Sequence, residues 1–169
     1  MTEGSICDYL TRDHDRLDRL LARAGANPDN LDRGSFAEFR RGLLKHIGME
    51  EKILLPAIQA VRGGEPLPIA AKLRLQHGAI AALLVPSPRK AVLAALRTML
   101  EKHNALEEGP HGIYAECERI AGAGAGELLR RLADAPDVPA AAHVDSERVE
   151  ASARRALERA GFDPRLLTD

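Results

Sequence analysis

Two histidine–glutamate pairs carry the strongest chemical signal in the sequence: His46 with Glu50, and His103 with Glu107, each four residues apart. On a helix this spacing points both side chains the same way, roughly 6 Å apart along the axis, so one metal centre can take both. Both pairs sit in apolar stripes. The first stripe runs Phe36, Phe39, Leu43, His46, Glu50, Ile53 and Ala57 in steps of three and four. A neutral core would hold Leu or Ile at two of those places, because burying an unpaired carboxylate is expensive. The second runs Val92, Leu96, Met99 or Leu100, His103 and Glu107. Two further histidines interrupt stripes singly: His14 in Leu10, His14, Leu17, Leu21, and His77 in Leu73, His77, Ile80, Leu84. One such pair alone would suit a buried hydrogen-bonded couple equally well. Four stripes with a histidine each, two with a glutamate, point to metal.

Four amphipathic helices must carry these stripes. The first is expected from about Ser5 to Ala24, ending near Gly25-Ala26-Asn27-Pro28. The second opens on Ser35 and Glu38 as a capping box and should kink at Pro56 before Gly63-Gly64. The third reads from about Leu67 to Val85. Ser87-Pro88 offers a cap and first-turn proline for the fourth, which Gly109-Pro110 should break. Short connections favour an up-down-up-down antiparallel four-helix bundle, with an additional C-terminal helical segment. The expected division is a bundle over residues 1–120 and a linker with a helix over 121–169, packing on the bundle or on a partner such as a second copy in a homodimer. One count fits badly: His103 lies about 15 residues into its helix and His77 about 8 from its helix end. The fourth helix must overhang by roughly 10 Å or begin later.

In an antiparallel bundle the middles of the stripes meet in one layer holding His14, His46, Glu50, His77, His103 and Glu107. Four imidazoles and two carboxylates exceed the four ligands of a tetrahedral zinc. They suit two six-coordinate ions bridged by carboxylates, with positions left for solvent or a diatomic molecule. Imidazole and carboxylate without thiolate favour iron, with manganese as the nearest competitor and zinc as a further alternative. The usual di-iron carboxylate bundles use Glu-x-x-His, so this set is richer in neutral nitrogen and lower in charge. Reversible oxygen binding fits it better than a high-valent oxidant does.

The remaining composition narrows the class. In 169 residues with 3% aromatics, no Trp and a net charge of −1, no surface for nucleic acid or an anionic membrane stands out. No apolar run approaches the roughly 18 residues of a membrane span, and the start shows no basic and apolar leader. Cys7 and Cys117 form neither a disulfide framework nor a metal-binding pair. A cytoplasmic protein is the expectation.

The chain resembles the hemerythrin-like, or HHE cation-binding, domains. The resemblance rests on Asp13-His14-Asp15-Arg16-Leu17, on His46-Ile47-Gly48-Met49-Glu50-Glu51-Lys52-Ile53-Leu54-Leu55-Pro56, on Gln76-His77, and on His103-Asn104-Ala105-Leu106-Glu107-Glu108. It covers roughly residues 5 to 120 and implies a non-haem di-iron centre bridged by Glu50 and Glu107. It implies binding or sensing of oxygen, nitric oxide or iron. The enzymatic alternative is reduction of peroxide or nitric oxide, or iron delivery for iron–sulfur repair. Two departures stand out. The oxygen carriers have a histidine one turn before His77, where this chain has Leu73. Many relatives continue from the second Glu-Glu into Leu-Tyr-Pro, where this chain has Gly109-Pro110-His111-Gly112-Ile113-Tyr114. His111 is therefore a candidate replacement ligand, if the bend at Pro110 brings it in. Tyr114 reads as core filler, with a phenol beside an open coordination position as the alternative. Glu51 and Glu108 read as carboxylates behind the ligands, and His143 as a solvated linker residue.

Overall fold

The computed structural model describes residues 4–168, which are mostly helical, with no strand among them. Met1 to Glu3, part of the start at which no leader is expected, lie outside the described residues with Asp169. Helix α1 spans Ile6–Ala24; the Ser5 hydroxyl caps it by accepting the Asp8 N–H at 2.9 Å. Helix α2 spans Arg33–Met49, three residues earlier than the Ser35 cap implied. Asp32 takes that role: its carboxylate accepts the Ser35 N–H at 3.0 Å and the Ser35 hydroxyl at 2.7 Å. A charged acceptor at the positive end of a helix outcompetes a neutral hydroxyl.

The proline kink takes the form of a π-helical segment, Glu50–Leu54, which leads into α3, Leu55–Val61. Pro56 has no N–H to offer, and in an unbroken α-helix its ring would press on the Lys52 carbonyl. Widening the turn relieves this, and the Leu55 N–H bonds instead to the Glu50 carbonyl. Helix α4 is Ala70–Leu83 and α5 is Lys90–Glu107. The Ser87 cap is not used for α5. Asp145 accepts both its N–H at 2.8 Å and its hydroxyl at 2.6 Å, and Arg89 precedes the first turn. Because α4 ends at Leu83 as α5 starts later, His103 still lies further into its helix than His77 lies from the end of its own, and the expected overhang remains. A 3₁₀ turn at Pro164–Leu167 packs on α5.

After Glu107 the chain breaks sharply before α6, Ile113–Ala121. Gly109 has φ +80°, which favours glycine, and Gly112 lies so close to the carbonyls of Glu107 and Glu108 that no Cβ would fit. Helix α7, Ala125–Ala133, and helix α8, Glu147–Arg159, follow.

Two hydrophobic clusters flank a polar layer. One holds Leu17, Leu21, Phe39, Leu43, Ile80 and Leu96, and takes Leu157, Phe162 and Leu167 from the C-terminal end. The other holds Leu10, Met49, Leu54, Leu73, Ile113 and Cys117, and takes Leu128 and Leu132 from α7. On α1, α2 and α4 a histidine separates the two memberships: Leu10 from Leu17, Leu43 from Met49, Leu73 from Ile80. On α5, Met99 precedes His103 in the first cluster, and Leu106 follows it against the second. The polar layer interrupts what would otherwise be one continuous core. Between α7 and α8, residues 135–146 carry no regular structure and strap across α2. Asp137 pairs with Lys45 at 3.0 Å, and the Ala141 carbonyl accepts from Arg40 at 2.6 Å. His143 is not merely solvated, because its ring packs near Phe36 and its Nδ1 lies 3.3 Å from the Val85 carbonyl. No helix among the described residues is long and apolar enough to cross a membrane.

Candidate metal centre

The layer between the two clusters brings together six of the seven sequence-predicted site residues. His14, His46, Glu50, His77, His103 and Glu107 are all buried, none more than 3% exposed. They form two groups: His14, His46, Glu50 and Glu107, and Glu50, His77, His103 and Glu107. In each group one ligand atom per residue lies within 4.8 Å of every other.

All four imidazoles have the same orientation. Their Nε2 atoms face inward: His77 Nε2 is 3.0 Å from His103 Nε2 and 3.1 Å from Glu50 Oε2, and His103 Nε2 is 3.1 Å from Glu107 Oε1. Across the layer, His14 Nε2 is 3.5 Å from Glu107 Oε2 and His46 Nε2 is 3.6 Å from Glu50 Oε1. Each carboxylate thus gives one oxygen to each group. The outward Nδ1 atoms have partners in every case: Glu108 for His14 at 2.6 Å, Asp13 for His46 at 2.8 Å, Glu51 for His77 at 2.7 Å, and the Gln76 amide oxygen for His103 at 2.8 Å. Such partners fix the ring and tautomer, leaving the inward lone pair for a cation.

The oxygen atoms supply a fit test. Glu50 Oε2 and Glu107 Oε1 are fully buried without a hydrogen bond, despite imidazole nitrogens 3.1 Å away. Short distance without hydrogen-bond geometry leaves both oxygens open to a cation within the layer. Unsatisfied buried carboxylate oxygens are costly, and a cation there removes the cost. The residues fit metal.

Charges in the layer are arranged to match. Burial opposes a charged imidazole at His46, but Glu50 and Asp13 overcome it and hold its pKa at about 10. His77 is likewise carried to about 11 against its own burial, by Glu107, Glu50 and Glu51. Burial would raise the Glu50 carboxyl, yet His46 and His77 hold it well below the usual range. The π-helical segment has a visible use here. Glu50 faces the inner nitrogen of His77 and its neighbour Glu51 faces the outer one.

Tyr114 is not core filler. Its Oη lies 2.6 Å from Glu50 Oε1, 3.0 Å from Glu107 Oε2, 3.1 Å from His14 Nε2 and 3.2 Å from His46 Nε2. Seven residues along an unbroken helix would put it roughly 10 Å from Glu107. The break at Gly109–Gly112 closes that distance. The same break turns His111 outward, where it is exposed and belongs to neither group. The signal missed in the sequence was Gly112: a glycine after Gly109-Pro110 marks a reversal too tight for a helix that merely bends.

The sequence profile of the hemerythrin HHE cation-binding domain matches residues 5–115, which include every residue of both groups and Tyr114. The chain belongs to this family. No curated protein and no solved structure matches it.

Proposed function

We propose that the chain is a di-iron protein that binds or senses a small diatomic molecule, oxygen or nitric oxide, or iron itself. One observation carries this reading: four inward Nε2 atoms share two carboxylates, each offering one oxygen to each group. His14 and His46 would hold one ion and His77 and His103 the other, with Glu50 and Glu107 between them. Iron supplies the redox change and the open positions at which a diatomic molecule binds. Nitrogen-rich, thiolate-free ligation favours iron, with manganese and then zinc as alternatives. The fold supporting this is the up-down-up-down bundle of α1, α2, α4 and α5. Successive helices pass between the two clusters in opposite order around their histidines, as antiparallel neighbours would. We assign residues 1–120 to that bundle and residues 121–169 to a clasp over it, in a cytoplasmic setting, with neither nucleic acid nor membrane as partner.

The second reading is a di-iron enzyme that reduces peroxide or nitric oxide, or delivers iron for cluster repair. It is favoured by the outer carboxylates Asp13, Glu51 and Glu108, whose side chains are 18%, 19% and 34% exposed. They give the buried imidazoles a route for the protons that reduction consumes. Metal analysis with an optical spectrum, followed by mixing the reduced protein with oxygen, separates the readings. About two irons per chain and a stable coloured adduct support binding; bleaching with peroxide turnover supports the enzyme. Zinc alone would leave a metal site without redox chemistry, and no metal in a folded chain would sink both.

A further inference from the structure

We propose that Tyr114 is a metal ligand, its phenolate completing the position held by His14 and His46 and confining exogenous ligands to the position held by His77 and His103. The inference rests on the two-ion reading above. A vertex of a square pyramid or octahedron has four neighbouring donors. With bonds of about 2.1 Å those neighbours lie about 3.0 Å from it. Tyr114 Oη stands 2.6 to 3.2 Å from one atom of each of Glu50, Glu107, His14 and His46. His14 Nε2 and Glu107 Oε2 are 3.5 Å apart and His46 Nε2 and Glu50 Oε1 3.6 Å, too close for the four donors to surround an atom about 3 Å from each, so Oη caps them from one side. Their centre remains for the ion.

A hydroxyl that served only to hold Glu50 would need one acceptor. This one faces two carboxylate oxygens with a single proton, and two imidazole nitrogens besides. On loading, the Oη–H bond breaks, an Oη–metal bond forms, and the proton leaves to solvent. The other group has no such cap. One turn before His77 stands Leu73, and a gap too tight for a water molecule lies between Leu54, Leu73 and Ile113 and the polar groups of Glu50, His77, Glu107 and Tyr114. With four protein donors there against five around His14 and His46, the free coordination position lies on the His77 side, below the apolar side chains of Leu54, Leu73 and Ile113.

The test loads metal-free protein with ferrous iron in the absence of oxygen and oxidises it with ferricyanide. Tyrosinate ligation predicts a visible phenolate-to-iron absorption and phenolate ring modes in the resonance Raman spectrum of the unaltered protein. Tyr114→Phe keeps the ring and its packing; it should keep its iron, lose both signals and raise azide binding from one to two per chain. Iron bound without phenolate modes would overturn the assignment of Tyr114 and leave the two-ion reading standing. No iron bound would overturn both. Because the Raman reading uses the unaltered chain, poor folding of the variant cannot obscure it.

Discussion

The two halves of the polar layer are built from the same two glutamates and differ in what surrounds them. Around His14 and His46 the imidazole nitrogens stand 3.5 and 3.6 Å from the carboxylate oxygens, and the Tyr114 hydroxyl closes the group. Around His77 and His103 the imidazole nitrogens approach to 3.0 Å, with leucine and isoleucine beyond. The outer partners differ too. His46 is backed by a carboxylate that also bonds Arg16, whereas His103 is backed by the neutral amide of Gln76. On the proposed reading, shared anions with unequal caps would give two metal positions separable roles, one to anchor and one to exchange.

The largest expected effect comes from striking what the halves share. Glu107→Gln removes an anionic oxygen from both groups at once, and metal content should fall from about two ions per chain to near zero. The loaded protein should also lose its metal-dependent rise in melting temperature, since an ion that binds only the folded chain must stabilise it. Full metal content in this variant, measured by elemental analysis, would mean that the layer is a polar network and not a site.

Striking one half should halve the result. His77→Ala should leave about one ion per chain, held by His14, His46 and the carboxylates, while His46→Ala also takes a neighbour from the buried Tyr114 hydroxyl and should cost more stability. Equal losses of metal and melting temperature in the two variants would erase the asymmetry. A smaller step is Asp13→Asn, which leaves every inward donor in place and should weaken metal binding about 10- to 100-fold. An unchanged affinity in a metal competition titration would deny the outer carboxylate its role.

Acidity sharpens the comparison by charge. Without metal, His46 and His77 keep their protons to about pH 10 and 11, against 6.5 for an ordinary histidine. Their contribution to stability is full below pH 6.5 and is lost as pH rises through 10 to 11. Glu50 has a depressed pKa, so its contribution is present above the ordinary 4.5 and is lost as pH falls. Metal requires neutral imidazole, so loading at pH 8 should release about one proton from each half, and Tyr114 adds another if it ligates. The gap in melting temperature between loaded and metal-free protein should widen from pH 6 to pH 9. A flat gap, or no acid released in a weakly buffered titration, would show that these imidazoles are not charged in the empty layer.

How much of this was legible in the sequence follows from what depends on local periodicity. His14, His46, His77 and His103, with Glu50 and Glu107, could be read because each breaks an apolar stripe of helical period, and helices of this length keep that period. The residues behind them were less visible. Glu51 and Glu108 could be read as carboxylates behind the ligands, but Asp13 could not, and the imidazole that each one backs lies on another helix, which no single stripe reveals. Tyr114 escaped because its position depends on a turn. In an unbroken helix it aligns with His103 far from Glu107, and only the reversal at Gly109–Gly112 brings its oxygen to 3.0 Å. The caps at Asp32 and Arg89 were missed for a related reason: Ser35 and Ser87 each donate to an aspartate, one of them 58 residues away.

The smallest expected effect belongs to His111, and it tests the reversal itself. If the chain bent gently at Pro110, His111 would be drawn toward the layer and Tyr114 would stay above it; with a sharp break the two exchange places. His111 is exposed and outside both groups, so His111→Ala should change stability by no more than about 0.5 kcal/mol and leave metal content untouched. Gly112→Ala attacks the same geometry from the backbone, where an added Cβ would collide with the carbonyls of Glu107 and Glu108. That variant should unseat Tyr114 and loosen the His14 and His46 half before the other. Should His111→Ala remove an ion while Gly112→Ala changes nothing, the gentle bend is correct, and the cap on the first half is an imidazole rather than a phenol.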